Sequence, residues 1–301
     1  MPSGETVIFN WLLYAYGTAA ASFALAAWLT RRGEARHFGR SLELGAIVLL
    51  TAGAWLIIRH AYHWPTMDAS ALRLTEIGWY AIITSLLGLA AWWGGRTSRR
   101  IVPALAGCAL LWIMAIGASY LLTLHANPIW TRSMTVGDMP IFNALLWSYA
   151  VAALLAGLAA WTLRDWREPM QKLVQPTRWM MGATALWLSF WWITLTVRQA
   201  FQGESLWFKN GATAAEWYAY SAAWIVFAAV LLGLGIWRGG QALRWASLVI
   251  LCVAVGKVFV LDMAHLEDLW RVGSFLGLGL SLLAVAWVYQ RFVFGRRTGE
   301  T

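Results

Sequence analysis
The chain has 301 residues, 60% hydrophobic and 12% charged, with a formal net charge of +9 and a mean hydropathy of +0.59. A soluble domain carries roughly twice that share of charge, so a water-soluble fold is excluded. The basic residues sit in short stretches between apolar blocks and form no continuous basic face, which excludes nucleic acid as the partner.

The apolar residues arrive in uninterrupted blocks, and about 20 of them make a helix long enough to cross the hydrocarbon layer. Nine such blocks follow in chain order, at 7–29, 42–58, 76–93, 101–124, 141–163, 179–197, 216–237, 245–263 and 272–291. The first lacks a basic leader and is too long for a signal core, so it reads as a retained helix. Cytoplasmic loops hold an excess of Lys and Arg. Segments 30–41, 94–100, 164–178 and 238–244 plus the C-terminal tail carry sixteen of the 23 basic residues. The intervening loops carry Arg59, Arg73, Arg132, Arg198, Lys209 and Arg271, and Lys257 alone falls inside a block. The expectation is an all-α integral protein of the bacterial inner membrane with nine transmembrane helices, its N-terminus outside and its C-terminus cytoplasmic. Many of the 23 tryptophans lie near block ends, where the indole ring suits the headgroup layer. None of them is assigned to chemistry.

Residues 8–31 and 141–164 share Asn, Tyr, Trp and Arg in register: Asn10, Tyr16, Trp28 and Arg31 match Asn143, Tyr149, Trp161 and Arg164. Further on, Arg59-His60-Ala61-Tyr62 answers to Arg198-Gln199-Ala200-Phe201, and Glu76-x-x-x-Tyr80 to Glu216-x-x-x-Tyr220. The expected organisation is a four-helix unit over 1–140, a parallel second unit over 141–271, and a last helix with a basic tail over 272–301. Parallel repeats of this kind occur in transporters, although duplication also builds inert bundles.

Lys257 sits about 7 Å inside the outer end of its block, where a charge needs a partner or water. Two readings stand: it snorkels outward to Asp262 or a lipid headgroup, or it belongs to a polar pocket open to the periplasm. Arg59 and Arg198 close outer helix ends while Glu76 and Glu216 open the returning helices, so an Arg to Glu pair within each hairpin is stereochemically reasonable. Such a pair is either a staple or part of an anion site, since Arg reads phosphate and carboxylate bidentately. Asn10 and Asn143 either cap their helices or line the same cavity. Arg271 adds a further outer cation. His60, His63, His125 and His265 fall on the outer side, but no CxxC, HExxH or phosphate loop accompanies them, so no metal and no cofactor is expected. Cys108 and Cys252 lie in apolar blocks and imply no disulfide frame.

The C-terminal runs Leu243-Arg244-Trp245-Ala246-Ser247-Leu248, Gly256-Lys257-Val258-Phe259-Val260-Leu261-Asp262 and Trp270-Arg271-Val272 resemble the bacterial multi-pass family called domain of unknown function 2339. So do Ser274-Phe275-Leu276-Gly277-Leu278-Gly279, Tyr289-Gln290-Arg291 and, upstream, Arg198-x-x-Phe201-x-Gly203 and Glu216-x-Tyr218-Ala219-Tyr220-Ser221. The resemblance spans nearly the whole chain, implies a short member or the C-terminal portion of a longer one, and transfers no catalytic residue. It ranks Lys257, Asp262, Arg271, Arg198 and Glu216 above neighbouring polar residues.

The resulting functional expectation is a periplasm-facing polar pocket for an anionic or polyhydroxylated envelope substrate, such as a lipid-linked glycan. In it Arg59, Arg198 and Arg271 hold anionic groups, Lys257 supplies charge, and Asp262, Glu76 and Glu216 orient the cations. Asp262 is the candidate base if group transfer follows. The alternatives are a secondary transporter with a Lys257/Asp262 gate and a non-enzymatic scaffold for a periplasmic protein. Membrane lipids are partners under every reading.

Overall fold
The structure is a computed structural model that describes residues 11–30, 36–63, 72–164 and 171–258, and isolated positions at 279, 280, 283, 286, 287 and 290. No strand occurs among the described residues. In lipid every backbone N–H and C=O must find its partner inside the segment, which only a helix or a closed barrel achieves. The helices are α1 (Thr18–Leu29), α2 (Arg36–His63), α3 (Leu74–Thr97), α4 (Ile101–Tyr120), α5 (Ala152–Thr162), α6 (Gln171–Gln202), α7 (Ala214–Trp237) and α8 (Gln241–Lys257). π-Helical turns extend three of them: Leu13–Gly17 leads into α1, Leu121–His125 follows α4, and Leu146–Val151 leads into α5.

Among the described residues five helical stretches are long and apolar enough to cross a membrane: His37–His63, Leu74–Thr97, Ile101–His125, Gln171–Gln202 and Ala214–Trp237. Leu13–Leu29 and Leu146–Thr162 are shorter apolar helices. The chain is therefore an all-α membrane protein with several apolar helices. The ninth expected block, 272–291, falls mostly outside the described residues. Helices overrun the apolar blocks at their polar ends, as α2 does on both sides of 42–58, because helical hydrogen bonding persists where side chains turn polar.

The described residues form two compact units, one within 1–195 and 202–209, the other within 196–201 and 210–301. In the first, Trp92, Leu111, Leu122, Tyr149, Met181 and Leu188 are fully buried. The Tyr149 hydroxyl donates to the Leu122 carbonyl at 2.6 Å, tying the helix after residue 143 to the π turn that follows α4. Outside the helices, the Val136 amide donates to Glu204 O and the Phe208 amide to Ile129 O, which zips segment 126–145 to segment 203–209.

Hairpin α3–α4 is the tightest contact of the first unit, and small residues make it so. A Cβ on Gly107 would stand 2.6 Å from the Trp92 amide nitrogen and 2.7 Å from the Gly88 carbonyl oxygen. One on Gly95 would stand 2.5 Å from the Ala104 amide nitrogen. Apolar area gains little between helices in lipid, so close backbone approach at Gly and Ala supplies the dispersion that holds them. The turn between them closes with Ser98 N–H to Gly94 O and Arg100 N–H to Gly95 O, with Arg99 at φ +53°.

Hairpin α7–α8 of the second unit is built the same way, 140 positions later. Arg238 N–H bonds Leu234 O, Gly240 N–H bonds Gly235 O, and Gly239, at φ +65°, takes the left-handed place of Arg99 without a Cβ penalty. Where Gly88 meets Gly107 in the first hairpin, the Ser247 hydroxyl donates to the Ala228 carbonyl at 2.7 Å in the second.

This packing makes a graded expectation. Gly107→Leu has no room and no flexible neighbour to displace, so it is expected to lower stability by more than the about 1–3 kcal/mol typical of overpacking. Ser247→Ala loses one hydrogen bond of about 1 kcal/mol. Thermal aggregation of the detergent-extracted protein, followed by size exclusion, ranks the two, and equal midpoints would refute the account.

Candidate functional site
Glu76, in the first turn of α3, is wholly buried. Its Oε1 accepts from Arg59 NH1 at 3.0 Å and from the Tyr80 hydroxyl at 2.9 Å. Its Oε2 lies 2.9 Å from His63 Nε2 and accepts the Arg73 amide at 3.3 Å, which also caps the helix start. Arg59 and His63 are one turn apart at the end of α2, so both reach the same carboxylate. Arg59 NH1 also lies 2.8 Å from His63 Nε2. A ring nitrogen has one role at a time, so an Nε2 that donates to Glu76 does not also accept from Arg59. A buried carboxylate is tolerable only with this many donors around it.

Glu216 is the counterpart in the second unit and is equally buried. Arg198 NH1 donates to its Oε1 at 2.8 Å, and the Tyr220 hydroxyl donates to the same oxygen at 2.7 Å. The Thr213 hydroxyl caps α7 by accepting the Glu216 amide. Gly211, at φ +76°, turns its carbonyl to accept from Arg198 NH2 at 3.4 Å. The Arg198 side chain is only 6% exposed, against 19% for Arg59.

Lys257 closes α8 and is buried. Its ammonium donates to the Trp217 carbonyl and to the Ser221 hydroxyl, each at 2.8 Å, and stands 5.2 Å from the centroid of the Trp217 ring. Residues 217 and 221 are one turn apart on α7 and so present one face to it. The charge is thus met by a carbonyl, a hydroxyl and a π-face, the groups that make an ammonium tolerable in an apolar place. Asp262, the other partner expected for Lys257, lies outside the described residues, as do Arg271 and Asn10. Asn143 caps its helix: its Oδ1 accepts the Leu146 amide at 3.0 Å while its amide donates to the Met139 and Pro140 carbonyls.

Two of the cavities among the described residues of the first unit have charged side chains in their walls. One, of about 380 Å³, lies between α2, α3 and α4 and is lined by apolar side chains with Arg59, Tyr80, Trp55 and Thr84 among them. Among the described residues Arg59 is its one charged lining residue. The other, of about 340 Å³, has both Glu43 and Arg100 in its wall, and these two pair at 2.9 Å. Among the described residues the second cavity presents both signs of charge, whereas the first presents a cation. No group of three His, Cys, Asp or Glu suited to a metal occurs among the described residues.

Reading the sequence brings forward Arg59, Arg198, Glu76, Glu216 and Lys257. It passes over His63 as a partner of Glu76, Trp55 and Gly117 as cavity wall, and Trp217 and Ser221 as partners of Lys257. Extending the match of Glu76 with Glu216 along both hairpins supplies the missing signal. It sets Ile77 against Trp217, Ala81 against Ser221 and Gly117 against Lys257.

This helical array is that of a multi-pass membrane protein. Over residues 10–292 the chain matches the model of the family described as predicted membrane protein DUF2339, and it belongs to that family. Compared with curated proteins and with solved structures, it matches none.

Removing one partner of a buried ion pair typically costs about 3–5 kcal/mol. Glu216→Gln is expected to approach that loss, because it strands Arg198 in a site nearly closed to water. Glu76→Gln is expected to cost less, since Arg59 is the more exposed cation. Thermal denaturation of both variants in one detergent decides; Glu216→Gln matching wild type would remove the staple from the argument.

Proposed function
We propose that the protein is a nine-span inner-membrane protein, N-terminus outside, whose outer face binds an anionic substrate carrying an apolar chain, such as a lipid-linked glycan. The observation that carries this reading is the cavity beneath Arg59. At about 380 Å³ it falls within the range of small-molecule sites. Its wall of Ile77, Ile113, Met114 and Leu121 suits a hydrocarbon chain, and Arg59 suits a phosphate or carboxylate at the polar end.

The division of basic residues supports the orientation. Arg40, Arg96, Arg99, Arg100, Arg164, Lys172, Arg178, Arg238 and Arg244 fall on the side assigned to the cytoplasm. Arg59 and Glu76 then face the periplasm. The parallel four-helix repeat, 1–140 and 141–271, is part of the same proposal. Its support is the 140-residue register shared by α3–α4 and α7–α8, and the π turns that begin at Leu13 and at Leu146, residues matched in the repeat.

Two experiments test this. A C-terminal fusion to a fluorescent protein is expected to glow and one to alkaline phosphatase to stay inactive; the reverse result overturns the orientation. For binding, native mass spectrometry of protein extracted in mild detergent is expected to show one phosphate-bearing lipid per chain. Gly117→Leu should abolish that adduct by filling the cavity, because a Cβ at 117 meets no atom within 4 Å and the side chain has room to enter. Arg59→Gln should weaken it roughly ten- to hundredfold, the value of about 1.5–3 kcal/mol for a hydrogen bond to a charged group. An adduct indifferent to Gly117→Leu, or bare wild-type protein, refutes the site.

A further inference from the structure
The two hairpins run in one register, and that register singles out three positions. Ile77, Ala81 and Gly117 all line the cavity of the first unit. Their counterparts 140 positions later are Trp217, Ser221 and Lys257, the residues that form the ammonium contact of the second. We infer that the second hairpin contains the same seat as the first, already filled by the Lys257 side chain, and that this seat is a binding site for a primary alkylammonium group. Lys257 is its built-in occupant.

Three features carry the inference beyond the substrate reading of the first cavity. The register is fixed independently of these residues, by the equal starts of α3 and α7 and of α4 and α8 and by the matching turn hydrogen bonds. The chemistry changes as a set: a ring face, a hydroxyl and an ammonium in one hairpin become Ile, Ala and Gly in the other, so cation and cation-binding groups are gained or lost together. The local space also agrees, since beyond Gly117 nothing lies within 4 Å of a would-be Cβ, while Lys257 at the matching place is buried. The carbonyl of residue 217 has a second lone pair beyond its helical bond, and the Ser221 hydroxyl completes the seat with one more acceptor.

The test is chemical rescue, and it needs no knowledge of any natural ligand. Lys257→Gly removes a butylamine's worth of side chain and is expected to lower the thermal midpoint of the extracted protein. Millimolar n-butylammonium should restore at least half of that loss, while n-butanol, of equal length without charge, should restore little. Wild type and Lys257→Met, whose seats are filled, should not respond to either compound. If Lys257→Gly cannot be extracted folded, a monodisperse peak obtained only when butylammonium is present supports the inference equally. No recovery in either format overturns it, and so does a butylammonium shift of the same size in Lys257→Met. Because the readout is the second hairpin alone, a failed lipid adduct at Gly117 leaves this result unaffected.

Discussion
A carboxylate with no water contact, set at the first turn of a helix in apolar surroundings, is the constraint on which each described hairpin depends. Glu76 and Glu216 are ionisable side chains in a place that would reject them singly, and each is made tolerable by an Arg from the helix before it and a Tyr one turn further on. The Arg to carboxylate bond spans a connection, from α2 to α3 and from α6 to α7, and so fixes the angle at which the chain returns. Because the desolvation cost is met only when all donors are in place, the arrangement selects one geometry for the turn rather than adding much net stability.

With the returning helix fixed at one end, its packing on the next is decided by side-chain size. Gly88, Gly95 and Gly107 bring α3 and α4 to backbone contact. The second hairpin reaches a similar approach with Ala228 and Ser247, trading bare contact for a hydroxyl to carbonyl bond. Both solutions reflect the same solvent: where lipid competes with Leu for Leu, contact distance and interhelical hydrogen bonds hold helices together. Tryptophan joins in through its N–H, as Trp55 bonds Thr84 and Trp112 bonds Thr177 across helices. These indoles act as polar cross-links between helices.

The two hairpins then diverge at the third level, in what they leave open. The first surrounds its cavity with apolar groups and lets a guanidinium reach the wall. The second spends the matching positions on a lysine and its acceptors. His63 belongs to the same divergence: it touches Glu76, whereas the second carboxylate has the Gly211 loop drawn onto its Arg. At matching positions one hairpin lines an apolar cavity and the other holds a lysine with its acceptors.

The sequence by itself determined the class and the charges. Apolar blocks of crossing length force helices because lipid offers the backbone no other partner, and Arg59, Glu76, Arg198 and Glu216 stood out because ionisable residues at such places need a reason. It also held the 140-residue register, legible in Glu76-x-x-x-Tyr80 and Glu216-x-x-x-Tyr220. Tertiary structure alone decided which groups meet. Nothing local in the chain says that His63 joins the Glu76 carboxylate, that Asn143 caps its helix, or that Lys257 turns to Trp217 and Ser221. Those choices depend on the distance between packed helices, which glycine and alanine set across the interface, and a one-dimensional pattern of polarity does not contain that distance.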